Sequence, residues 1–593
     1  MTKNLKTLLA TSGHATFVCF VSRRKRLGRS MNKCISLITC IPILIAFFLS
    51  PSILFAQDET KQDSLKQSTA DSVFTKADKN GDGRLGPNEV KNETLFKRMD
   101  TDSDGFVSQK EARTHAKRRR AREDAAAAEE VFNKPVFPVN ADGEAAKRER
   151  LSAIADVTSG EKCPPNIVLL FSDDLGYGDI SLYGSKKIPT PNIDALGKQG
   201  VRFSNAYVTA ASCSPSRAGL MSGRYQQRFG FEFNTAGGAI THRLHRGLDP
   251  SVVTMTDVLK QAGYVTGMFG KWHLGTQPQF HPQARGFDEF YGFLAGAHSF
   301  LPSKTPQPFH STIMRDKSPL IEPEYLTDAI ARETVNFINA NQDKPFFAYV
   351  PFNAVHTPIE ATKKYQDRFP NETDQTRRDY YAMTSALDDA VGSIVDAIEK
   401  HGLSENTLVI FVNDNGGPIY TGVQSNGPLK LGKLFLFEGG IRVPMVIKLP
   451  GKFEPDTVYD QSTSTLDLFP TICAAAGIKI PSGINLDGVD LTPFVNGLST
   501  GAPHEALFWS NGPNIAVRQG NWKLVKSYDN TWLFDLASDI GESKNLANSK
   551  PKIVEQLEKL YQEWRSQMSK AAWPSKPNRR KIKVDGLVYE MNI

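Results

Sequence analysis

Four short apolar segments of the chain each end in a cluster of polar residues that could do chemistry. The segments have the composition of buried strands and are Asn166–Phe171, Tyr264–Phe269, Phe346–Phe352 and Thr407–Val412. The polar residues that follow them are, in the same order, Asp173 and Asp174, Lys271 and His273, His356, and Asp414 and Asn415. Because ligands bind beyond the carboxyl ends of strands in open α/β sheets, we expect these side chains to meet in one site.

The residue types indicate a divalent cation and an anionic substrate. Three aspartates and one asparagine supply hard oxygen ligands, which suit Ca²⁺ or Mg²⁺ better than zinc. Lysine and histidine side chains next to them would contact an anion. Each cluster alone is also explained by a helix cap or a turn. Four such clusters on strands expected to be neighbours favour a functional site.

A further apolar run, Val201–Val208, predicts a strand that leads toward Cys213. The residues that follow Cys213 are Ser-Pro-Ser-Arg, and Pro215 fits the first turn of a helix. Cys213 is therefore expected at a helix N-terminus, where the helix dipole favours anions. As an ordinary thiol it would be a small buried hydrophobic residue.

On these residues the sequence resembles the type I sulfatase family, within the alkaline-phosphatase-like superfamily. The family signature Cys-x-Pro-Ser-Arg matches residues 213–217, and Ser222-Gly223-Arg224 matches its second block with Ser in place of Thr. Further blocks occur in family order across about residues 165–568 and read Asn-Ile-Val-Leu-Leu-Phe-Ser-Asp-Asp-Leu-Gly-Tyr-Gly-Asp, Pro-Thr-Pro-Asn-Ile-Asp-Ala-Leu, Gly-Lys-Trp-His-Leu-Gly, His-Thr-Pro, Asn-Asp-Asn-Gly-Gly and Glu438-Gly-Gly-Ile-Arg-Val-Pro444.

The resemblance implies that a maturation enzyme oxidises Cys213 to Cα-formylglycine. Hydration of the aldehyde gives two hydroxyl groups: one attacks the sulfur of a sulfate ester, and the second expels sulfate by re-forming the aldehyde. An alternative within the superfamily is hydrolysis of a phosphonate or phosphate ester. An alternative of another class is a catalytically inactive, calcium-dependent matrix or adhesion protein.

The resemblance also implies a calcium ion at the reacting group. Its ligands would be Asp173, Asp174, Asp414 and Asn415 together with the oxygen of the oxidised Cys213. The ion would lower the pKa of the attacking hydroxyl and neutralise the sulfate oxygens.

The resemblance assigns the remaining catalytic roles to five side chains that are positively charged or carry an imidazole. Arg217 would brace the formylglycine, and Lys271 and Lys433 would bind the sulfate oxygens. His273 would take the proton from the remaining formylglycine hydroxyl. His356 would hydrogen-bond sulfate and, with Lys433, protonate the leaving oxygen.

Two acidic loops ahead of the catalytic region repeat one pattern. In each loop, oxygen ligands stand at positions 1, 3, 5 and 12, glycine at position 6 and an apolar residue at position 8. Both resemble EF-hand calcium loops, so two further Ca²⁺ ions are expected. Only Val90–Met99 separates them, which leaves room for one shared helix and favours a structural or tethering module. The expected ligand positions are Asp78, Asn80, Asp82, Arg84 and Glu89, and Asp100, Asp102, Asp104, Phe106 and Glu111.

The charge of the chain does not indicate a nucleic-acid partner. The 593 residues include 71 Lys and Arg against 64 Asp and Glu, but residues 1–57 hold eight of the basic residues and none of the acidic ones. The net charge of the residues after position 57 is therefore close to zero. Lys33, the apolar run Ile35–Phe55 and the small Ala56 predict a secretory signal cleaved after Ala56. An uncleaved segment would instead contact the membrane.

Export predicts a periplasmic or extracellular protein. For an exported protein that resembles the sulfatases, the expected substrate is a sulfated small molecule or glycan. Three cysteines follow the signal, and a Cys163–Cys473 disulfide is left open.

Alternating short strands and amphipathic helices predict an α/β domain with a mostly parallel central sheet flanked by helices. The clearest helix prediction is Arg377–Lys400. A strand-rich pattern after residue 500 predicts a smaller antiparallel subdomain. The expected divisions are an N-terminal extension and signal (1–56), a linker (57–70), the EF-hand pair (71–113), a solvated, charged helical linker (114–160), the catalytic domain (161–499) and the C-terminal subdomain (500–593).

Overall fold

A computed structural model describes residues 73–90, 92–116, 140–160, 163–235, 246–303, 311–573, 579–584 and 587–592. The predicted signal segment and the 57–70 linker lie outside these residues. Within them, no helix is long and apolar enough to cross a membrane. The strands in chain order are β1 (Arg84–Leu85), β2 (Val107–Ser108), β3 (Asn166–Ser172), β4 (Val201–Phe203), β5 (Ala206–Tyr207), β6 (Val265–Lys271), β7 (Glu289–Phe293), β8 (Ile313–Arg315), β9 (Ser318–Leu320), β10 (Phe346–Pro351), β11 (Thr407–Asn413), β12 (Met445–Lys448), β13 (Thr457–Tyr459), β14 (Thr463–Ser464), β15 (Leu507–Asn511), β16 (Asn514–Gln519), β17 (Trp522–Ser527), β18 (Asn530–Asp535), β19 (Arg579–Val584) and β20 (Leu587–Asn592).

Helices cover the faces of the catalytic domain and of the C-terminal subdomain. In chain order the α-helices are α1 (Glu93–Met99), α2 (Ala141–Ser152), α3 (Pro191–Lys198), α4 (Cys213–Ser222), α5 (Met255–Gln261), α6 (Leu326–Ala340), α7 (Lys363–Gln366), α8 (Gln375–Lys400), α9 (Glu438–Ile441), α10 (Leu468–Ala475), α11 (Thr492–Val495) and α12 (Pro551–Arg565). The predicted helix over 377–400 thus begins two residues earlier, where the Asp374 side chain accepts a hydrogen bond from the Arg377 N–H at 2.9 Å.

A ten-stranded sheet forms the centre of the catalytic domain, in the order β13-β4-β12-β11-β3-β10-β6-β7-β8-β9. The five strands from β11 to β7 pair in parallel. Every residue of β3, β10 and β11 is buried, as expected for parallel strands covered on both faces. The predicted α/β fold with a mostly parallel central sheet flanked by helices is confirmed.

The predicted strand over 201–208 is two strands. Ser204 and Asn205 form a turn between β4 and β5, and the Asn205 carbonyl accepts from the Thr463 N–H at 3.0 Å. The break moves β5 out of the central sheet, and it pairs with β14 instead. Asn is a common turn residue, so its position inside an apolar run was the signal for this break.

The C-terminal subdomain is an antiparallel sheet of β15, β16, β17 and β18, against which α12 packs. The predicted antiparallel subdomain is confirmed, although β15 and the hairpin of β19 and β20 were not predicted. Its core includes Val517, Leu524 and Leu533 from the sheet and Leu557 and Trp564 from α12.

Within the predicted charged linker, α2 is mostly exposed but buries Lys147. The Lys147 ammonium lies 2.6 Å from Asp257 in α5 and donates to the Val252 carbonyl, and Arg150 donates to the Gly483 carbonyl. The helix therefore attaches to the catalytic domain through charged groups. Because no apolar stripe marks that contact, helical periodicity could not reveal it.

Candidate active site

The predicted site residues meet at the carboxyl ends of β11, β3, β10 and β6, which are neighbours in the sheet. Backbone hydrogen bonds tie these ends together: Asp173 N–H donates to the Ala354 carbonyl at 2.8 Å, and Asp414 N–H donates to the Ser172 carbonyl at 3.1 Å. Asp174 adopts a left-handed backbone conformation with φ of 60°, which Asp tolerates better than most residues. The turn after β3 thus presents two consecutive carboxylates to the site.

Two buried cations neutralise the carboxylates on the β3 and β11 side. The Lys271 ammonium lies 2.5 Å from Asp173, and the Arg217 guanidinium lies 2.8 Å from Asp414 and 3.6 Å from Asp173. Arg217 also donates to the Lys271 carbonyl at 3.1 Å. Arg217 thus donates hydrogen bonds to the Asp414 carboxylate and to the end of β6, whereas the resemblance predicted that it braces residue 213 itself.

Lys433 reaches the same site from a loop that follows β11. Its ammonium lies 2.7 Å from Asp174 Oδ1 and 3.2 Å from Cys213 Sγ. Burial opposes its charge, but Asp174 and Cys213 hold the pKa of Lys433 well above its ordinary value. A cation therefore lies directly beside residue 213.

Cys213 is the first residue of α4 and is only 2 % exposed. Its Sγ lies 3.6 Å from Asp173 Oδ1. Burial raises the pKa of its thiol to about 12, so the unmodified side chain is protonated at neutral pH and a weak nucleophile. Cys163 and Cys473 are also free thiols, so the disulfide that the sequence left open is not formed.

The two histidines present different atoms to the site. His356 Nδ1 lies 2.6 Å from the Thr357 carbonyl, and Nε2 lies 3.5 Å from Asp174 Oδ2. A carbonyl only accepts, so Nδ1 carries the proton and Nε2 faces the site with its lone pair when the ring is neutral. Burial lowers the pKa of His356, and burial lowers that of His273 well below its ordinary value.

Two residues at the site were missed by sequence reasoning. A Cβ on Gly296 would lie 2.6 Å from the His273 ring, so glycine is required there for the ring to keep its place. The Asn234 side chain accepts from the Ser214 N–H at 3.1 Å and thereby satisfies a free N–H in the first turn of α4. Neither residue belongs to a motif, because each acts only through a contact made in the folded chain.

The residues present fit a hard divalent cation. Ligand atoms of Asp173, Asp174, Cys213 and His356 all lie within 4.8 Å of one another. Asn415 Nδ2 donates to Asp174 at 2.7 Å, whereas its buried Oδ1 has no hydrogen-bond partner among the described residues. A buried carbonyl oxygen without a donor, beside carboxylates, is suited to coordinate a cation.

The EF-hand pair has the predicted shared helix, α1, in which the Phe96 side chain is buried. Strands β1 and β2 pair antiparallel so that Leu85 faces Val107, the apolar position 8 of each loop. The carboxylates of Asp100, Asp102 and Asp104 lie within 4.8 Å of one another. These loops fit calcium as their spacing predicted.

The closing glutamates of both EF-hand loops turn back onto the loop backbone. Glu89 accepts from the Lys79 N–H at 2.8 Å, and Glu111 accepts from the Thr101 N–H at 2.7 Å. The backbone hydrogen bond from Ser108 contributes most to lowering the pKa of Glu111 to about 2. Both carboxylates are therefore ionised and in place to close their loops.

Three family models match this chain. The sulfatase model matches residues 165–478, and the model for the C-terminal region of N-sulphoglucosamine sulphohydrolase matches residues 430–570. The EF-hand model matches residues 70–92 and 93–113.

Named relatives and solved structures agree with these models. N-acetylgalactosamine-6-sulfatase of Rattus norvegicus is 34% identical over 404 residues, which cover 64% of this chain and 75% of the relative. Arylsulfatase A of Homo sapiens is 32% identical over 456 residues, which cover 67% and 87%. The crystal structure of Ps i-CgsB is 35% identical with a TM-score of 0.65 and covers 69% of this chain and 94% of that one. A second structure of that protein, with a TM-score of 0.64, holds k-i-k-neocarrahexaose.

The sulfatase match spans more than half of the chain and contains every side chain that meets around Cys213. We conclude that the chain belongs to the sulfatase family, carries an N-terminal EF-hand pair and hydrolyses sulfate esters.

Proposed function

We propose that this sulfatase acts outside the cytoplasm on a sulfated carbohydrate, with Cys213 oxidised to formylglycine as its nucleophile. The observation that carries the nucleophile is the place of Cys213 at the start of α4, 3.2 Å from Lys433 and 3.6 Å from Asp173. The apolar run before Ala56 supports export. A carbohydrate is supported by the name of the N-acetylgalactosamine-6-sulfatase relative and by the oligosaccharide held by Ps i-CgsB.

The modification would be made by a separate maturation enzyme with dioxygen as the oxidant. One oxygen atom of dioxygen replaces the C–S bond of Cys213 with a C=O bond, and sulfur leaves as hydrogen sulfide. The other oxygen atom leaves as water, with two electrons and two protons from an external thiol reductant. When hydrated, the group supplies one hydroxyl that displaces the alcohol from sulfur and a second whose proton is lost as sulfate leaves and the aldehyde returns.

The surrounding side chains bind the anion and move protons. Lys271 and Lys433 are proposed to hold the sulfate oxygens in a site that excludes water, where charge interactions are strong. His356 is oriented by the Thr357 carbonyl, and in its doubly protonated form its Nε2–H shares protonation of the leaving oxygen with Lys433. His273 takes the proton released as sulfate leaves.

Asp173, Asp174, Asp414 and Asn415, with residue 213, are proposed to hold Ca²⁺. The ion would supply positive charge against the sulfate oxygens and lower the pKa of the attacking hydroxyl. Arg217 holds Asp414 in place through its 2.8 Å contact.

Mass spectrometry of the peptide that contains Cys213 tests the proposed nucleophile. We expect the peptide to be lighter than the encoded one by about 18 Da, because sulfur and two hydrogens leave and one oxygen enters. Protein made without a maturation enzyme is the control and should keep an alkylatable thiol and lack turnover. An unmodified thiol in active protein from the native host would contradict the proposal.

The same preparation separates sulfate from phosphonate hydrolysis. We expect faster turnover of an aryl sulfate than of the matched aryl phosphonate, and release of sulfate from members of a panel of sulfated oligosaccharides. Preference for the phosphonate would favour the alternative in the same superfamily. Turnover of aryl sulfate with no glycan cleaved would leave the enzyme a sulfatase but reject the carbohydrate substrate.

The EF-hand pair is proposed to bind two Ca²⁺ ions as a structural or tethering module. Changing Glu89→Gln together with Glu111→Gln removes the closing carboxylate of both loops. We expect bound calcium to fall from about three ions per chain to about one, because the closing glutamate contributes two of the ligand oxygens in each loop. Turnover should stay within about twofold of wild type, since the EF-hand loops share no residue with the catalytic site.

Calorimetric titration with calcium and a steady-state assay measure both quantities. Glu93→Gln is the matched control, because Glu93 is exposed on α1 and pairs with the exposed Lys97 at 2.7 Å. Full calcium stoichiometry in the double variant would contradict the assignment of these loops.

A further inference from the structure

The loop that carries Lys433 has a strained backbone. Leu431 and Leu434 flank Lys433 on both sides with φ values of 59° and 76°, in the left-handed region that branched side chains disfavour. Such a backbone conformation is unfavourable for leucine and persists only where the surrounding structure fixes it. Contacts with the surrounding structure must therefore hold this loop in its conformation.

The catalytic domain holds the loop at its centre. The Lys433 N–H donates to the Gly417 carbonyl at 3.2 Å, and the Leu434 N–H donates to the Ala211 carbonyl at 2.7 Å. Gly432 lies so close to Gly417 that a Cβ would fall 2.0 Å from its carbonyl oxygen. These contacts fix the position of the Lys433 backbone next to the segment that follows β11.

The C-terminal subdomain holds the far end through a buried ammonium. Lys523 on β17 lies 2.9 Å from Glu438 and 2.9 Å from Glu542, and all three side chains are fully buried. Glu542 in turn accepts from the Glu438 N–H at 2.7 Å, and its carbonyl accepts from the Lys430 ammonium at 3.0 Å. Both ends of the Lys433 loop, Lys430 and Glu438, are thus tied to Glu542.

Glu438 also contacts the element that leads to Cys213. Its second carboxylate oxygen accepts from the Tyr207 hydroxyl at 2.6 Å, and Tyr207 ends β5, six residues before Cys213. Arg442 lies 3.4 Å from the same carboxylate. Lys523 and Glu438 therefore join the strand before the nucleophile to the loop of the sulfate-binding lysine.

We infer that Lys523, a residue of the C-terminal subdomain, is a positioning residue for sulfate hydrolysis that acts through Glu438 and Glu542 on Lys433. Without Lys523 the buried Glu542 carboxylate would lose its ammonium partner, whereas Glu438 would keep Arg442 at 3.4 Å. A buried carboxylate without a partner is strongly unfavourable, so Glu542 would shift, release the strained loop and move the Lys433 ammonium away from the sulfate oxygens. This inference rests on the proposed role of Lys433.

Lys523→Met tests the inference, because methionine has a similar shape and no charge. We expect kcat/KM for an aryl sulfate to fall about 10- to 100-fold, the usual loss when a supporting contact is removed from a site. Inorganic sulfate should inhibit the variant more weakly, and Lys523→Arg should restore part of the activity.

Lys147→Met is the matched control. Lys147 is also a buried lysine paired with a carboxylate, at 2.6 Å from Asp257, but it holds α2 rather than the Lys433 loop. It should lower the unfolding temperature while kcat/KM and sulfate inhibition stay within about twofold, as for an independent site. Equal losses of kcat/KM in the two variants would show a merely structural role and overturn the inference.

A double-mutant cycle with Lys433→Ala makes the test specific. If Lys523 acts through Lys433, adding Lys523→Met to Lys433→Ala should change kcat/KM by less than about twofold. A further loss of the full size would overturn the inference. Should Lys523→Met fail to fold, the cycle is run with Lys523→Gln, which removes the charge but keeps a hydrogen-bond donor between the two carboxylates.

The turnover of the wild-type protein distinguishes the proposed function from the positioning role of Lys523. All variants are measured on protein in which the oxidation of Cys213 has been verified by mass. Wild type without aryl sulfatase activity would count against the proposed function. Active wild type with additive Lys523 and Lys433 effects would overturn only the positioning role.

Discussion

Replacing Cys213 by serine is expected to lower kcat about 10⁴- to 10⁶-fold, the size of effect seen when a catalytic nucleophile is removed. Serine offers a single hydroxyl, so it can accept the sulfuryl group but cannot expel sulfate by forming an aldehyde. We therefore expect at most one product molecule per chain, followed by no turnover. Intact-mass measurement should show a gain of about 80 Da, the mass of the transferred group.

Cys213→Ala is the control for this prediction, since it leaves no hydroxyl and should give neither product nor mass gain. Both changes remove or replace one buried atom at the start of α4, so unfolding temperatures should remain close to that of wild type. Sustained turnover by the serine variant would contradict the hydrated-aldehyde mechanism. A mass gain in the alanine variant would place the nucleophile elsewhere.

Chelation of the divalent ion is expected to lower kcat/KM about 10³-fold or more, because such an ion supplies several kcal/mol of charge stabilisation. Asp173, Asp174 and Asp414 are balanced by Arg217, Lys271 and Lys433 through contacts of 2.5–2.8 Å. A divalent cation adds two positive charges to this buried set and a sulfate dianion adds two negative ones. Both together preserve the balance, whereas either alone disturbs it.

The ion and sulfate should therefore bind cooperatively. Linkage requires that calcium tighten sulfate binding by the same factor by which sulfate tightens calcium binding. Calorimetric titration of sulfate with and without calcium measures this factor directly. The Glu89→Gln and Glu111→Gln double variant is the appropriate protein, because calcium then reports only on the site at Cys213. Sulfate affinity that does not change with calcium would reject the coupling.

The site was predictable where its residues follow regular elements. Asp173, Lys271, His356 and Asp414 each follow or end a buried strand, and neighbouring parallel strands bring such positions together. The EF-hand loops were predictable for a similar reason, because twelve consecutive residues contain each whole site. In both cases the local sequence pattern is sufficient to predict the site.

Long-range polar contacts were not predictable, because they leave no periodicity in the sequence. Glu438 and Lys523 belong to different subdomains, and the contacts that attach α2 to the catalytic domain are made by the charged side chains of Lys147 and Arg150. The resemblance indicated that Lys433 contacts sulfate, but not that strained neighbours and a distant subdomain hold it there.

The strand order has a consequence for the synthesis of the chain. Strand β3 pairs with β10 and β11, which are made roughly 180 and 240 residues after it, so the sheet around the nucleophile closes late. Cys213 and the Lys433 that covers it are separated by 220 residues. At about 5–20 residues per second, Cys213 is made about 10–45 s before Lys433. A side chain that is buried in the folded enzyme thus remains accessible to the proposed maturation enzyme during this interval.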